Sequence, residues 1–397
     1  MKEVWKFHTA GSIQFGVGAI KRLPLILKPY KKIAVITDPG IVQAGLLDRV
    51  LHILHNEGLQ PLIYDEAMPE PSMSSVLYCF SQVEADQPEA IIALGGGSCI
   101  DLAKFTSLLL TYGGHPLDYA GENQVPGNIR PVIAIPTTAG TGSEVSPVAI
   151  VTDENTNLKV GISDNHLRPA VALLDPELTL KLPPYITACT GMDALAQAIE
   201  AYYAADYRFI DTEEDLIYQG SNPLSDHLAE KAIRLISQNL RMAVHQGHNL
   251  EARSNMLLGS LFSALSFTNS GTSLLHALAY PVAEKTKKAH GEIIGLLLPY
   301  VMQYNAAACM DKMAKIAEWL GENDPRLSLA DKVKRSMDAV FRLLHDLRMP
   351  VKLADIGIKK EHIPEMVDKS LTIDRLIRIN PKIPRADEVK SLLYRAL

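Results

Sequence analysis

Short apolar runs alternate with helical patterns through the first half of the chain. Residues 33–37 (IAVIT), 61–64 (PLIY), 90–94 (AIIAL), 131–136 (PVIAIP) and 171–176 (VALLDP) are continuous in aliphatic side chains. They lack the apolar–polar alternation of a strand with one wet face. Such runs read as strands buried on both faces, as in a parallel sheet. Between them, residues 46–54, 74–85 and 101–110 carry a helical spacing of apolar positions, so the pattern is a series of βαβ units. The opening stretch WKFHTAGSIQFG has β-type residues broken by Ala-Gly and predicts a small β-structure ahead of the first unit.

The texture changes after Lys181. Two prolines in LPPYIT separate the α/β half from a half with no convincing buried strand. Long 3.6-period patterns fill residues 187–204, 224–243, 251–267, 274–283, 312–320, 333–347 and 387–397. The expectation is an α/β domain over residues 1–182 and an all-helical domain over 183–397, joined at the Pro-Pro. Residues 206–222 (DYRFIDTEEDLIYQGSN) are polar and acidic and read as a loop between helices.

Size agrees with two domains, since 397 residues exceed what one hydrophobic core usually serves. With 39 Lys+Arg against 45 Asp+Glu, the net charge is −6 and no basic footprint for nucleic acid is present. The longest apolar stretch, residues 293–302, falls far short of the ~20 residues of a membrane span. No apolar core of a secretory signal is visible in MKEVWKFHTAG. Cys79, Cys99, Cys189 and Cys309 lie far apart without a CxxC, which argues against a disulfide framework and a cysteine-rich zinc site. A cytoplasmic enzyme with a small-molecule substrate is expected, without nucleic-acid or membrane partners.

Gly95, Gly96, Gly97 and Ser98 stand directly between the 90–94 strand and a helix. Three missing Cβ atoms let backbone approach an anion closely, and the helix N-terminus supplies N–H donors and a favourable dipole. Pyrophosphate fits that description, and so does a plain strand–helix turn. The segment is not a GxGxxG fingerprint, because Ile100 occupies the place of the third glycine. A second loop, PTTAGTGSE at residues 136–144, follows the next strand and is rich in hydroxyls and glycine. Two such loops after successive strands converge at the carboxyl edge of an open sheet, where ligands bind. Asp38 ends the first buried strand. It reads either as an acceptor for both hydroxyls of an adenosine ribose or as the start of an Asp-Pro-Gly turn.

In the helical half, Asp193 and Gln197 lie four apart on one helix face, and His276 and His290 follow much later. One carboxylate and two imidazoles suit a divalent ion such as Fe²⁺ or Zn²⁺ with a position open for substrate. Each histidine taken singly reads more readily as a satisfied core residue than as a ligand.

Taken together, GGGSCIDLAK, PTTAGTGSEVSP, GMDALAQAIEAY, NPLSDHLAEKAI and HALAYPVAEKTKKAHGEIIGLLLPYVMQYN resemble the iron-containing (group III) alcohol dehydrogenase family. The similarity runs in order over nearly the whole chain, beginning with FGVGAI. It implies a dehydroquinate-synthase-like fold and NAD-linked interconversion of an alcohol with its aldehyde or ketone. It also implies cofactor roles for Asp38, Gly95, Gly96, Gly97 and Ser98, for Thr137, Thr138 and Thr141, and for Lys159 near the nicotinamide ribose. Asp193, His276 and His290 match three of the family's four metal ligands. Gln197 stands at the fourth, usually His, and Tyr280 stands where a second His usually follows the first by one helical turn. Cys99 and Ile100 replace a common Pro and a common small residue or Met. A homo-oligomer, dimer or larger, is expected.

Tyr280 is then the candidate catalytic residue. A histidine there would shuttle the alcohol proton near its reference pKa of about 6.5, whereas a phenol, with a reference value of about 10, works as a hydrogen-bond donor or in a site that shifts it. Packing alone is the other reading of that residue. Two other functions are compatible with the chain. A lyase using NAD transiently would need basic residues to grip an acidic substrate, for which Lys285, Lys287 and Lys288 are the available run. A catalytically degenerate dinucleotide binder would account for Gln197 and Tyr280.

Overall fold

A computed structural model describes residues 3–155, 158–210 and 216–397, which form two compact units. One is His8–Leu182 and the other is Pro183–Leu397 together with residues 3–7. The division falls at the Pro-Pro, but the first residues belong with the helical unit, where the Lys6 N–H donates to Gln219 Oε1 at 2.8 Å.

The α/β unit runs β1 (Ser12–Phe15), α1 (Leu23–Leu27), β2 (Ile33–Ile36), α2 (Pro39–Gln43), α3 (Leu46–Asn56), β3 (Leu62–Tyr64) and α4 (Met73–Val83). It continues with β4 (Ala90–Gly95), α5 (Gly97–Tyr112), β5 (Gly121–Glu122), β6 (Val132–Pro136), β7 (Val148–Asp153), β8 (Leu158–Ser163) and β9 (Val171–Leu174). Six strands form one parallel sheet in the order β1-β9-β6-β4-β2-β3. Every residue of β2, β4 and β6 is buried. Their side chains alternate between two cores: Ala34, Ile36, Ile91 and Ala93 enter one, and Ile33, Val35, Ile92 and Leu94 the other. That is why these strands are uniformly apolar in sequence.

Two features differ from the sequence expectation. The opening β-structure is no separate unit, because β1 joins the main sheet as an edge strand paired with β9. A second sheet, β5-β8-β7, was not anticipated. Its strands are a two-residue stub and a hairpin in which Lys159 and Gly161 interrupt β8, while β7 carries the apolar run VAIV that the sequence reading passed over.

The helical unit contains α6 (Pro184–Tyr203), α7 (Pro223–His245), α8 (Leu250–Ser270), α9 (Leu274–Thr286), α10 (His290–Asn305), α11 (Met310–Trp319) and α12 (Leu329–Asp346). Then follow α13 (Ile363–Leu371), α14 (Asp374–Ile377) and α15 (Ala386–Ala396). In α6 every residue from 191 to 203 is buried, the mark of a central helix surrounded by others. Asn222, Asn249 and Ser328 cap α7, α8 and α12 by accepting a backbone N–H in the first turn. Pro281 and Pro299 lie inside α9 and α10 without ending them. Gly291 lets α10 reach α6, since a Cβ there would collide with the carbonyl of Cys189. In the 206–222 segment a short turn at Tyr207–Phe209 and a bridge between Asp206 and Ser221 are present, and residues 211–215 lie outside the described ones. No helix among the described residues is long and apolar enough to cross a membrane.

Candidate active site

Three helices of the helical unit bring the metal candidates together. Asp193 and Gln197 project from one face of α6, His276 lies in the first turn of α9, and His290 opens α10. His276 Nε2 is 3.6 Å and His290 Nε2 3.7 Å from Asp193 Oδ1. One ligand atom from each of Asp193, His276 and His290 lies within 4.8 Å of the other two. Donors about 2.1 Å from a common ion stand at most about 4 Å apart, so a small adjustment seats one ion among them.

The polar accounting points the same way. Asp193 Oδ1, Gln197 Oε1 and His276 Nε2 are buried and have no hydrogen-bond partner. Leaving a buried acceptor unpaired costs about 1–3 kcal/mol, and native proteins rarely cluster such atoms without a ligand to satisfy them. Gln197 Nε2 donates to Asp193 Oδ2 at 2.9 Å, which fixes the amide with its oxygen unsatisfied. The donor set of carboxylate, amide oxygen and imidazole therefore fits a divalent cation. His290, with its side chain 31% exposed against 5% for Asp193, marks the open side.

Glu200, which sequence reasoning passed over, completes the arrangement. It is fully buried one α6 turn beyond Gln197. Its Oε1 accepts from Ser273 N–H (2.9 Å), Ser273 Oγ–H (2.8 Å) and Leu275 N–H (3.1 Å), thereby capping α9. Its Oε2 accepts from His276 Nδ1, which leaves Nε2 directed at Asp193. Burial by itself pushes His276 down, but the carboxylates of Glu200 and Asp193 outweigh it and hold the ring up to about 10. The site is electrostatically built for positive charge. The available signal was a lone acid inside the apolar stretch ALAQAIEAYY, seven residues from Asp193 and so on its face.

Tyr280 stands one turn beyond His276 on α9. Its ring lies 6.5 Å from that of His290 with 26° between the planes, and its hydroxyl oxygen accepts from Arg375 Nη2 at 3.2 Å. Two of the three lysines are otherwise engaged: Lys285 pairs with Glu365 at 2.9 Å and Lys288 lies 3.8 Å from Glu292.

In the α/β unit, β2, β4 and β6 are neighbours, so the segments that follow them share one sheet edge. Gly96 caps α5 and Gly97 is its first residue, which puts the glycine backbone at the N-terminus of a 16-residue helix. The Thr137 N–H donates to Gly95 O at 3.1 Å, and a Cβ on Gly97 would lie 2.7 Å from Thr141 Oγ1. The two loops are thus laid against each other, with Thr138 beside Gly96. Asp38 Oδ1 caps α2 through the Ile41 N–H (3.0 Å), and Oδ2 accepts from Cys99 Sγ (3.2 Å). Asp38 thus starts a turn, and its carboxylate borders the glycine loop. Burial and the adjacent Asp38 push the Cys99 thiol well up, so it remains a donor.

Ser98 and Lys159 meet at Glu70, which sequence reasoning did not single out. The Glu70 N–H donates to Ser98 Oγ at 3.2 Å, and its carboxylate lies 3.2 Å from Lys159 Nζ. Glu70 has a left-handed backbone (φ 53), a conformation that costs of order 1–3 kcal/mol and gathers at functional sites. Beneath the second loop, buried Lys104 donates to Ser146 O (2.9 Å) and Val148 O (2.8 Å) and is pushed down to about 8 by burial.

Comparison with known proteins gives the family of the chain. A family model described as iron-containing alcohol dehydrogenase matches residues 10–176, and one for the C-terminal part of the Fe-containing alcohol dehydrogenase family matches 187–397. The NAD-dependent methanol dehydrogenase of Bacillus methanolicus is 34% identical over 96% of this chain and 97% of its own. The 1,3-propanediol dehydrogenase of Klebsiella pneumoniae is 34% identical over 92% and 91%. The crystal structure of a 1,3-propanediol oxidoreductase superposes with a TM-score of 0.93 at 32% identity, covering 100% of both chains.

Proposed function

Since the chain belongs to the iron-containing alcohol dehydrogenase family, we propose that Asp193, His276, His290 and Gln197 hold its divalent metal and that the loops after β2, β4 and β6 bind its NAD. The protein is an NAD-dependent, metal-assisted oxidoreductase that interconverts an alcohol with its aldehyde or ketone by hydride transfer. The metal assignment is carried by the three buried, unpartnered atoms of Asp193, Gln197 and His276. Fe²⁺ is the ion we assign, and Zn²⁺ suits the same donors. When bound, such an ion supplies Lewis-acid polarisation of the substrate oxygen.

This chain's own residues supply the rest. Glu200 holds the His276 ring in register. Tyr280, at the edge of the cluster, donates its hydroxyl proton to the substrate oxygen during reduction and is reprotonated from water, and oxidation runs the same transfers in reverse. Gly95, Gly96, Gly97 and Ser98 offer backbone and hydroxyl donors to the diphosphate at the α5 N-terminus. Thr137, Thr138 and Thr141 form the adjoining wall, and Lys159 serves the nicotinamide ribose. Substrates are small alcohols such as those in the relatives' names, methanol and 1,3-propanediol. A cytoplasmic location is supported by four cysteines that are all free. Assembly into a dimer or larger homo-oligomer is supported by the outer edge of β1, which has no partner strand among the described residues.

Asp38 determines coenzyme choice in this reading. Its carboxylate accepts the ribose hydroxyls and opposes a 2′-phosphate, a like-charge conflict of several kcal/mol. Wild type oxidises short alcohols with NAD at least about 100-fold more efficiently than with NADP, and Asp38→Gly narrows that ratio by improving NADP use. Steady-state kinetics with both coenzymes checks this. A wild-type preference for NADP removes Asp38 from the ribose and the coenzyme assignment with it.

A further inference from the structure

We infer that Arg375 is a positioning residue for the alcohol chemistry, acting through the Tyr280 hydroxyl. This rests on the proton-transfer role proposed for Tyr280. Arg375 belongs to α14, a single turn between α13 and the NPK segment, far from every motif that carries the family resemblance. Tertiary packing brings it to the metal cluster. α14 packs against α9, with Leu376 fully buried and Ile379, also fully buried, closing over Gly271 ahead of α9. The Ile379 carbonyl accepts from the Ala205 N–H at 2.9 Å, which ties the end of this segment to the end of α6. Arg375 therefore projects from backbone fixed at both neighbouring helices, with its guanidinium 5.8 Å from the Tyr218 ring centre.

The direction of the hydrogen bond carries the inference. A guanidinium has donors only and stays charged at every working pH. In the 3.2 Å contact Arg375 Nη2 must donate, so the Tyr280 oxygen is the acceptor. The phenol's one hydrogen is then left for another acceptor, while the Tyr280 ring is held facing His290 at 6.5 Å. A neutral partner able to accept would instead draw that hydrogen away from the reaction. Proton balance closes through solvent: in reduction the Tyr280 O–H proton passes to the substrate oxygen and water returns one to the phenolate, and in oxidation Tyr280 first gives its proton to water and then takes that of the alcohol. Arg375 gives up no proton at any stage.

The test is a double-mutant cycle with Arg375→Met, Tyr280→Phe and both together, plus Arg375→Lys. kcat and KM for alcohol oxidation are measured alongside bound metal and NAD affinity. Arg375→Met is expected to lower kcat about 10- to 100-fold, with KM, metal content and NAD affinity within twofold of wild type. Arg375→Lys should recover part of the loss. In the Tyr280→Phe background, Arg375→Met should change kcat less than twofold. Losses that multiply in the double variant would overturn the inference, because Arg375 would then act independently of Tyr280. So would wild-type turnover in Arg375→Met beside a large loss in Tyr280→Phe, or loss of metal or NAD binding in both Arg375 variants, which marks a structural role. Wild-type turnover in Tyr280→Phe would instead remove the Tyr280 reading first, and this inference with it.

Discussion

His276→Ala abolishes NAD-linked alcohol oxidation, lowering turnover on the order of 10³-fold or more, and releases the metal while leaving NAD binding intact. The imidazole joins two parts of the site. Its Nε2 is one of three unpartnered atoms around Asp193, and its Nδ1 is held by Glu200. Truncation removes a ligand and leaves the Asp193 carboxylate buried without its nearest counter-charge. Several kcal/mol of transition-state stabilisation depend on the ion, and each 1.36 kcal/mol is tenfold in rate. Glu200 keeps three other donors, from Ser273 and Leu275, so α9 stays capped and the fold survives. The dinucleotide loops belong to the α/β unit, His8–Leu182, and do not use His276. Elemental analysis, turnover and NAD titration on the same preparation check all three parts. Turnover within tenfold of wild type would contradict the assignment.

Tyr280→Phe should lower kcat for alcohol oxidation by roughly 10²–10⁴-fold, the usual worth of general acid–base assistance. The substitution keeps the ring and its stacking on His290 and deletes only the hydroxyl. It therefore separates proton transfer from packing. Metal content, NAD affinity and thermal midpoint should remain near wild type, because the hydroxyl meets the Arg375 side chain and not a structural backbone group. If turnover holds near wild type, Tyr280 only packs, and the alcohol proton must travel by another route.

Much of this was legible before any coordinates. The main sheet announced itself because β2, β4 and β6 are buried on both faces, and burial on both faces leaves no polar position to interrupt the run. The change of texture at the Pro-Pro marked where the helical unit begins. The second sheet was hidden because β5 has two residues and Lys159 and Gly161 interrupt the apolar positions of β8, while the apolar run of β7, residues 148–151, was passed over. Asp193, His276 and His290 were found as residue types at plausible positions, yet spacing alone left each histidine readable as core. Their convergence is a tertiary fact, set by α6, α9 and α10 and by the close approach that Gly291 permits. Glu200 carried a faint signal, an acid within an apolar face. Arg375 and Glu70 carried none, since each acts through a contact to a residue distant in sequence: Arg375 to Tyr280, and Glu70 to Ser98 and Lys159.

Anaerobic Fe²⁺ titration of the chelated protein, followed at once by binding and by recovery of NAD-linked alcohol oxidation, tests the central claim most directly. The account predicts that activity is lost on chelation and returns in proportion to bound ion, saturating at one per chain, with neither binding nor recovery in Asp193→Ala. Full activity in chelated protein with no detectable metal would contradict it.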